Sequence, residues 1–116
     1  MANIYNNIFK KSKFIKFFEP KSYERVVYWR YTIFLDKRIN IKKFIKICKK
    51  KNIITRQTYL PLHLHPIFKR KKVKFKYCEE ISKSGIDIPS STKLKEKDIF
   101  FIGNTLVRLA NKSIRN

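Results

Sequence analysis

The sequence predicts a small α+β domain, a sheet of two to four strands with helices packed on one side. Three observations predict it. From Val26 to Leu35 the residues Val27, Trp29, Tyr31, Ile33 and Leu35 alternate with Tyr28, Arg30, Thr32 and Phe34, nearly all of types enriched in strands and at a strand's period. Ile41, Phe44, Ile45 and Cys48 then form the single apolar stripe of an amphipathic helix. Such patterns follow one another as helix, strand, helix, strand, an order that a layered α+β body accommodates.

At the N-terminus Ile4, Tyr5, Ile8 and Phe9 share one helical face, so a short helix is expected there. Lys10 to Ser22 mixes lysine with aromatics and holds Pro20, which disfavours helical conformation in Glu19; it reads as a linker. After the Val26–Leu35 strand, Asp36 to Asn40 makes a polar turn into the lysine-faced helix. Lys49 to Lys51 suit the negative end of that helix dipole, and Asn52 suits a left-handed stop. A second strand is expected at Ile53 to Gln57. Thr58 to Phe68, with Pro61 and Pro66 in an aromatic setting, should be irregular but packed. Phe75, Cys78 and Ile81 mark a short helix that Gly85 ends, and Ile86 to Ser91 is extended around Pro89. The last helix should run from Glu96 to Ala110, with Ile99, Ile102, Leu106 and Leu109 inward and Glu96 and Asp98 in the favourable first turn.

A chain of 116 residues fits one domain. Its 43% hydrophobic content, with ten Phe and six Tyr, excludes disorder throughout. The net charge of +21 taken alone predicts polyanion binding, although a lysine-rich solvated surface carries the same charge without a ligand. No apolar run approaches the roughly 20 residues that span a bilayer. Met1 to Phe18 lacks the uninterrupted apolar stretch and cleavage site of a secretory signal, so a cytoplasmic location is expected. Cys48 and Cys78 occupy apolar helical positions and read as small buried hydrophobes rather than a disulfide.

Between Thr55 and Pro66 the chain concentrates groups that can hydrogen-bond a ligand. Arg56, Tyr59, His63 and His65, brought together by a proline-stiffened loop, could hold phosphate or sugar hydroxyls. The alternative is that Tyr59 and His63 are packing residues satisfied locally. His63 and His65 together with Cys48 and Cys78 match no zinc module, so no metal site is predicted. The run Lys69-Arg70-Lys71-Lys72-Val73-Lys74-Phe75-Lys76 is the best polyanion segment, or else a solvated loop. No RNP-like motif, GXXG loop or basic recognition helix accompanies it, so its signal is electrostatic and nonspecific. A small basic nucleic-acid-binding protein is the alternative function.

Two stretches in fixed order carry a resemblance: Val27-Tyr28-Trp29-Arg30-Tyr31-Thr32-Ile33, then Ile54-Thr55-Arg56-Gln57-Thr58-Tyr59-Leu60-Pro61-Leu62-His63. They resemble the C-terminal small domain of the DegT/DnrJ/StrS sugar-nucleotide aminotransferases, of fold type I, with the perosamine-synthase-like enzymes as the nearest subgroup. Gly85-Ile86-Asp87-Ile88-Pro89 leading to Lys95-Glu96-Lys97-Asp98-Ile99 resembles the family's Leu-Pro turn and terminal helix, except that Lys95 stands where a Ser or Thr N-cap is usual. The likeness runs from about Ile4 to about Asn111.

The resemblance implies that residues 1–20 are the end of an interdomain helix and a linker, and residues 21–116 the small domain. It further implies amino transfer to a keto-deoxy sugar nucleotide, in polysaccharide biosynthesis, with pyridoxal phosphate as the cofactor of the parent family. That cofactor belongs to a large domain, so no catalytic, cofactor-binding or metal residue is transferred here and the chain alone is expected to be inactive. Arg56, Tyr59 and His63 are the implied substrate-binding residues, on a wall beside the cleft. The expected partners are a separately encoded large domain or a homodimer partner, with upstream DNA encoding the cofactor-binding part. No membrane span is expected, and polyanion binding should be nonspecific.

Overall fold

In the computed structural model, which describes residues 1–68 and 73–115, the chain opens with helix α1 (Ala2–Phe9) and closes with helix α4 (Glu96–Arg115), and the two pack together. Tyr5 and Phe9 of α1 are buried. Close approach is possible because position 103 is glycine: a Cβ there would lie 2.7 Å from Ile8 Cδ1. The Tyr5 hydroxyl donates to the Pro89 carbonyl at 2.9 Å and ties the helix to the far end of the chain. Burial pushes the Tyr5 hydroxyl pKa well above its ordinary value, so it stays a donor. The apolar face of α1 thus finds its partner inside this body.

Four strands form one antiparallel sheet: β1 (Ile15–Phe17), β2 (Tyr31–Leu35), β3 (Arg56–Gln57) and β4 (Gly85–Ile88), in the order β1-β2-β4-β3. Ile15, Tyr31, Ile33, Leu35, Ile86 and Ile88 are buried, and the strand registers align them on one face. Helices α1, α4 and α2 (Ile41–Lys50) supply the opposing layer, with Phe9, Phe44, Cys48 and Leu106 fully covered. Each such large apolar side chain contributes about 1.5–3 kcal/mol of transfer free energy. Helix α3 (Lys76–Ser84) runs into β4 and borders β2. The architecture is the α+β layer expected from the periodicities.

Local chemistry explains the helix ends. Asn40 Oδ1 accepts the Lys43 N–H at 3.0 Å and caps α2, and Asn52 adopts φ 58° just past its end, the left-handed stop predicted for it. At α4 the cap residue Lys95 offers no side-chain acceptor. Asp98 instead reaches back to accept the Lys95 N–H at 3.2 Å, half of a capping box, and its carboxylate also suits the positive end of the dipole. This helix continues five residues past the expected end at Ala110, to Arg115.

Several expectations are corrected. The strand predicted from Val26 begins only at Tyr31, and Val27 and Trp29 are 83% and 73% exposed. Residues 26–30 have strand-forming side chains but, among the described residues, no neighbouring strand, and β structure needs a paired neighbour. The second strand shrinks from Ile53–Gln57 to Arg56–Gln57, and the expected linker contains β1. Thr58 to Phe68 is irregular as expected but only partly packed: it forms two 3-10 turns, Leu62–Leu64 and Pro66–Phe68, and His63, Leu64 and His65 are half-buried while Tyr59, Leu62 and Ile67 are exposed. Cys48 is buried as expected, but Cys78 is exposed, because the Phe75, Cys78, Ile81 stripe of α3 does not join the core. Gly85 ends α3 in extended conformation rather than left-handed. Glycine is required there for space, since a Cβ would lie 2.7 Å from Thr58 Cγ2 and 2.8 Å from the Ile81 carbonyl oxygen. The basic segment Lys69 to Lys72 lies outside the described residues.

Candidate functional site

The polar loop predicted from Thr55 onward leaves the edge strand β3 and passes over α3. Its register matters, because Arg56 lies opposite Asp87, which lies opposite Thr32 on the other side. Directly paired residues share a face, so these three form one polar row across the sheet.

Asp87 is the hub of that row. The Arg30 guanidinium donates from Nη1 to Asp87 Oδ2 at 2.9 Å, and the Thr32 hydroxyl donates to Asp87 Oδ1 at 2.7 Å. Both carboxylate oxygens are therefore engaged, and the Asp87 side chain is only 12% exposed. The held guanidinium lies between two aromatic rings, 4.6 Å from the centroid of Trp29 and 4.5 Å from that of Tyr59. Cation–π attraction of this kind is worth about 0.5–2 kcal/mol per ring. Tyr59 is thus positioned by Arg30, while the ring itself is 68% exposed.

His63 sits further along the loop. Its Nε2 lies 3.0 Å from Glu79 Oε1 on α3, and its ring meets Phe75 edge-on with centroids 4.9 Å apart. The bond from His63 holds the Glu79 carboxyl below its ordinary pKa, so the carboxylate is ionised and accepts the hydrogen bond that Nε2–H donates. Gln57 Nε2 donates to the Ser82 carbonyl at 3.0 Å and fastens the start of the loop to the same helix.

Of the three predicted substrate-binding residues, Tyr59 and His63 are each held by a specific partner. Arg56 is exposed and makes no ion pair among the described residues. Arg30, Trp29, Thr32, Asp87 and Glu79 were not singled out from sequence. A signal existed for two of them: Arg30 and Asp87 are opposite charges, each set between apolar residues of a strand-like stretch. Among the described residues no group of three or more His, Cys, Asp or Glu is placed to hold a metal ion, and no helix is long and apolar enough to cross a membrane.

An open antiparallel sheet under a helical layer, with a polar loop leaving its edge, is the small-domain fold of the aminotransferases. Residues 1–107 match the model of the DegT/DnrJ/EryC1/StrS aminotransferase family, and the chain belongs to that family. PseC of Helicobacter pylori, an aminotransferase involved in the biosynthesis of pseudoaminic acid, superimposes with a TM-score of 0.84 at 18% identity, over 96% of this chain and 31% of that one. Spr1654 of Streptococcus pneumoniae, solved in a PLP form, gives a TM-score of 0.85 at 19% identity, over 97% and 30%. An uncharacterized protein of Methanocaldococcus jannaschii, MJ1066, is 27% identical over 97% of this chain and 31% of its own length. The chain spans about a third of the length of these relatives.

The family is dependent on pyridoxal phosphate, and the described residues do not fit that cofactor on their own. It needs a buried lysine for an imine and a glycine-bearing loop or helix N-terminus for its phosphate. Every described lysine is exposed. Gly85 opens a strand and Gly103 lies inside α4.

Proposed function

We propose that this chain is the small domain of a sugar-nucleotide aminotransferase, forming one wall of a cleft whose cofactor is held by a large domain. The supporting observation is the family match over residues 1–107, together with a fold that corresponds to less than a third of each full-length relative. In this reading pyridoxal phosphate, bound elsewhere, supplies the amino-transfer chemistry, and this chain supplies recognition. The proposed substrate is a keto-deoxy sugar nucleotide, as in perosamine-synthase-like enzymes of polysaccharide biosynthesis, and the proposed setting is the cytoplasm. A large domain, on the same or a separate polypeptide, and a second copy in a homodimer are the proposed partners.

Arg56, exposed and without an internal ion pair, would meet the diphosphate, which guanidinium binds well in a two-pronged manner. Tyr59 would present its exposed ring and hydroxyl to the sugar, fixed in place by Arg30. His63, its Nε2 proton committed to Glu79, would offer its remaining nitrogen.

Two measurements test this. Borohydride reduction of the purified chain with pyridoxal phosphate should label no single lysine stoichiometrically. Adding a large domain of the family should yield a complex with transaminase activity that Arg56→Ala, Tyr59→Ala or His63→Ala lowers. Stoichiometric labelling with turnover by the chain alone would refute the wall role.

A further inference from the structure

Away from Asp87 and the Tyr59 loop, a cavity of about 680 Å³ opens between β1, the turn after β2 and the end of α3. That is within the range of small-molecule sites, roughly 300–1,000 Å³. Its apolar lining residues include Phe14 and Phe34, both half-buried, beside Leu35 and Ile39, whose side chains belong to the core. Lys13, Lys16, Lys37 and Lys83 also line it, brought together from three separate elements.

The charge around this cavity is not neutralised from within. None of the four lysines makes an ion pair among the described residues. Of the two acids in the lining, Asp36 is already taken: Arg38 donates to both its oxygens, at 2.8 and 3.0 Å, and holds its carboxyl far below the ordinary range. The same guanidinium lies 5.4 Å from the Phe14 ring centroid, so the Asp36–Arg38 pair borders the cavity as a neutral unit and leaves the lysine charge uncancelled. Glu80 is the one remaining carboxylate of the lining.

We propose that this cavity binds a nucleoside polyphosphate, with its base against Phe14 and Phe34 and its phosphates on Lys13, Lys16, Lys37 and Lys83. Two aromatic rings favour a planar ring over an acyl chain, because base–aromatic stacking is sequence-tolerant and strong. Four ammonium groups against one free carboxylate favour a ligand with several negative charges. The site is independent of amino transfer.

The test uses the full chain and ADP, followed by calorimetry and by amide chemical shifts. One equivalent should bind, with shifts gathered on Phe14, Lys16, Phe34 and Lys83, and adenosine should bind far more weakly. Lys16→Gln with Lys83→Gln should weaken ADP by about tenfold or more, the loss expected for two charge-assisted contacts. Lys42→Gln with Lys46→Gln, a pair of exposed lysines on α2, should leave it unchanged. Equal loss from both pairs would reduce the effect to overall charge and overturn the proposal, as would the absence of saturable binding. A single-stranded oligonucleotide that shifts the same residues where ADP does not would reassign the cavity to nucleic acid and overturn it too.

Discussion

Arg30, just before β2, and Asp87 of β4, 57 residues apart in sequence, meet at 2.9 Å, and the Arg30 guanidinium so fixed stacks on Tyr59. Removing the carboxylate strands a guanidinium that is about two-thirds covered. Asp87→Ala is expected to cost about 1–3 kcal/mol, toward the low end because solvent still reaches Arg30. Urea unfolding of Arg30→Met, Asp87→Ala and the double variant should show a coupling energy of about 1 kcal/mol. Strictly additive losses would mean that the pair contributes nothing.

The two glycines should respond unequally to alanine. At Gly85 the obstacles are Thr58 and the backbone oxygen of Ile81, neither of which can swing away, so Gly85→Ala should destabilise by about 1–3 kcal/mol. At Gly103 the nearest atom is the end of the flexible Ile8 side chain, and alanine gains about 1 kcal/mol in helix propensity. Gly103→Ala should therefore lie near neutral. Comparing the two denaturation midpoints decides it, and a larger loss at position 103 would show that Ile8 cannot move away from the contact between α1 and α4.

Acid should weaken the link between His63 and α3. Glu79 has a lowered pKa in the folded state, chiefly through its bond from His63. A carboxyl depressed by folding adds stability above its unfolded pKa, near 4.3, and that contribution is lost as pH falls through the folded value. The wild-type thermal midpoint should therefore fall more steeply below about pH 4 than that of Glu79→Gln. Parallel curves would show that the pair does not stabilise the loop.

Thiol chemistry should separate the cysteines. Burial pushes the Cys48 thiol pKa up to about 11, while Cys78 is exposed. Iodoacetamide at about pH 8 should modify Cys78 in the native protein, and Cys48 only after denaturation, because the thiolate is the reactive form. Rapid native labelling of Cys48 would contradict the core around α2.

The amino-acid sequence alone determined the elements whose signal is local. The Ile41–Cys48 stripe, the left-handed stop at Asn52, the inward face of α4 and the alternation through Tyr31–Leu35 all follow from side-chain spacing, and each is present in the fold. The family resemblance was legible for the same reason, since ordered short motifs are local too. Only the tertiary structure decided where pairing stops. Val27 and Trp29 look like strand residues, yet among the described residues no strand lies beside them, while Ile15–Phe17, unremarkable in sequence, gains Leu35 to Ile33 as a partner. Of the candidate site, Arg56, Tyr59 and His63 could be read from a polar cluster in one loop; Arg30 and Asp87 left only the signal of opposite charges set in strand-like stretches, and Glu79 left none. Their roles come from contacts between distant segments, and strand register and helix docking are set by the burial of the whole core rather than by neighbours in the chain.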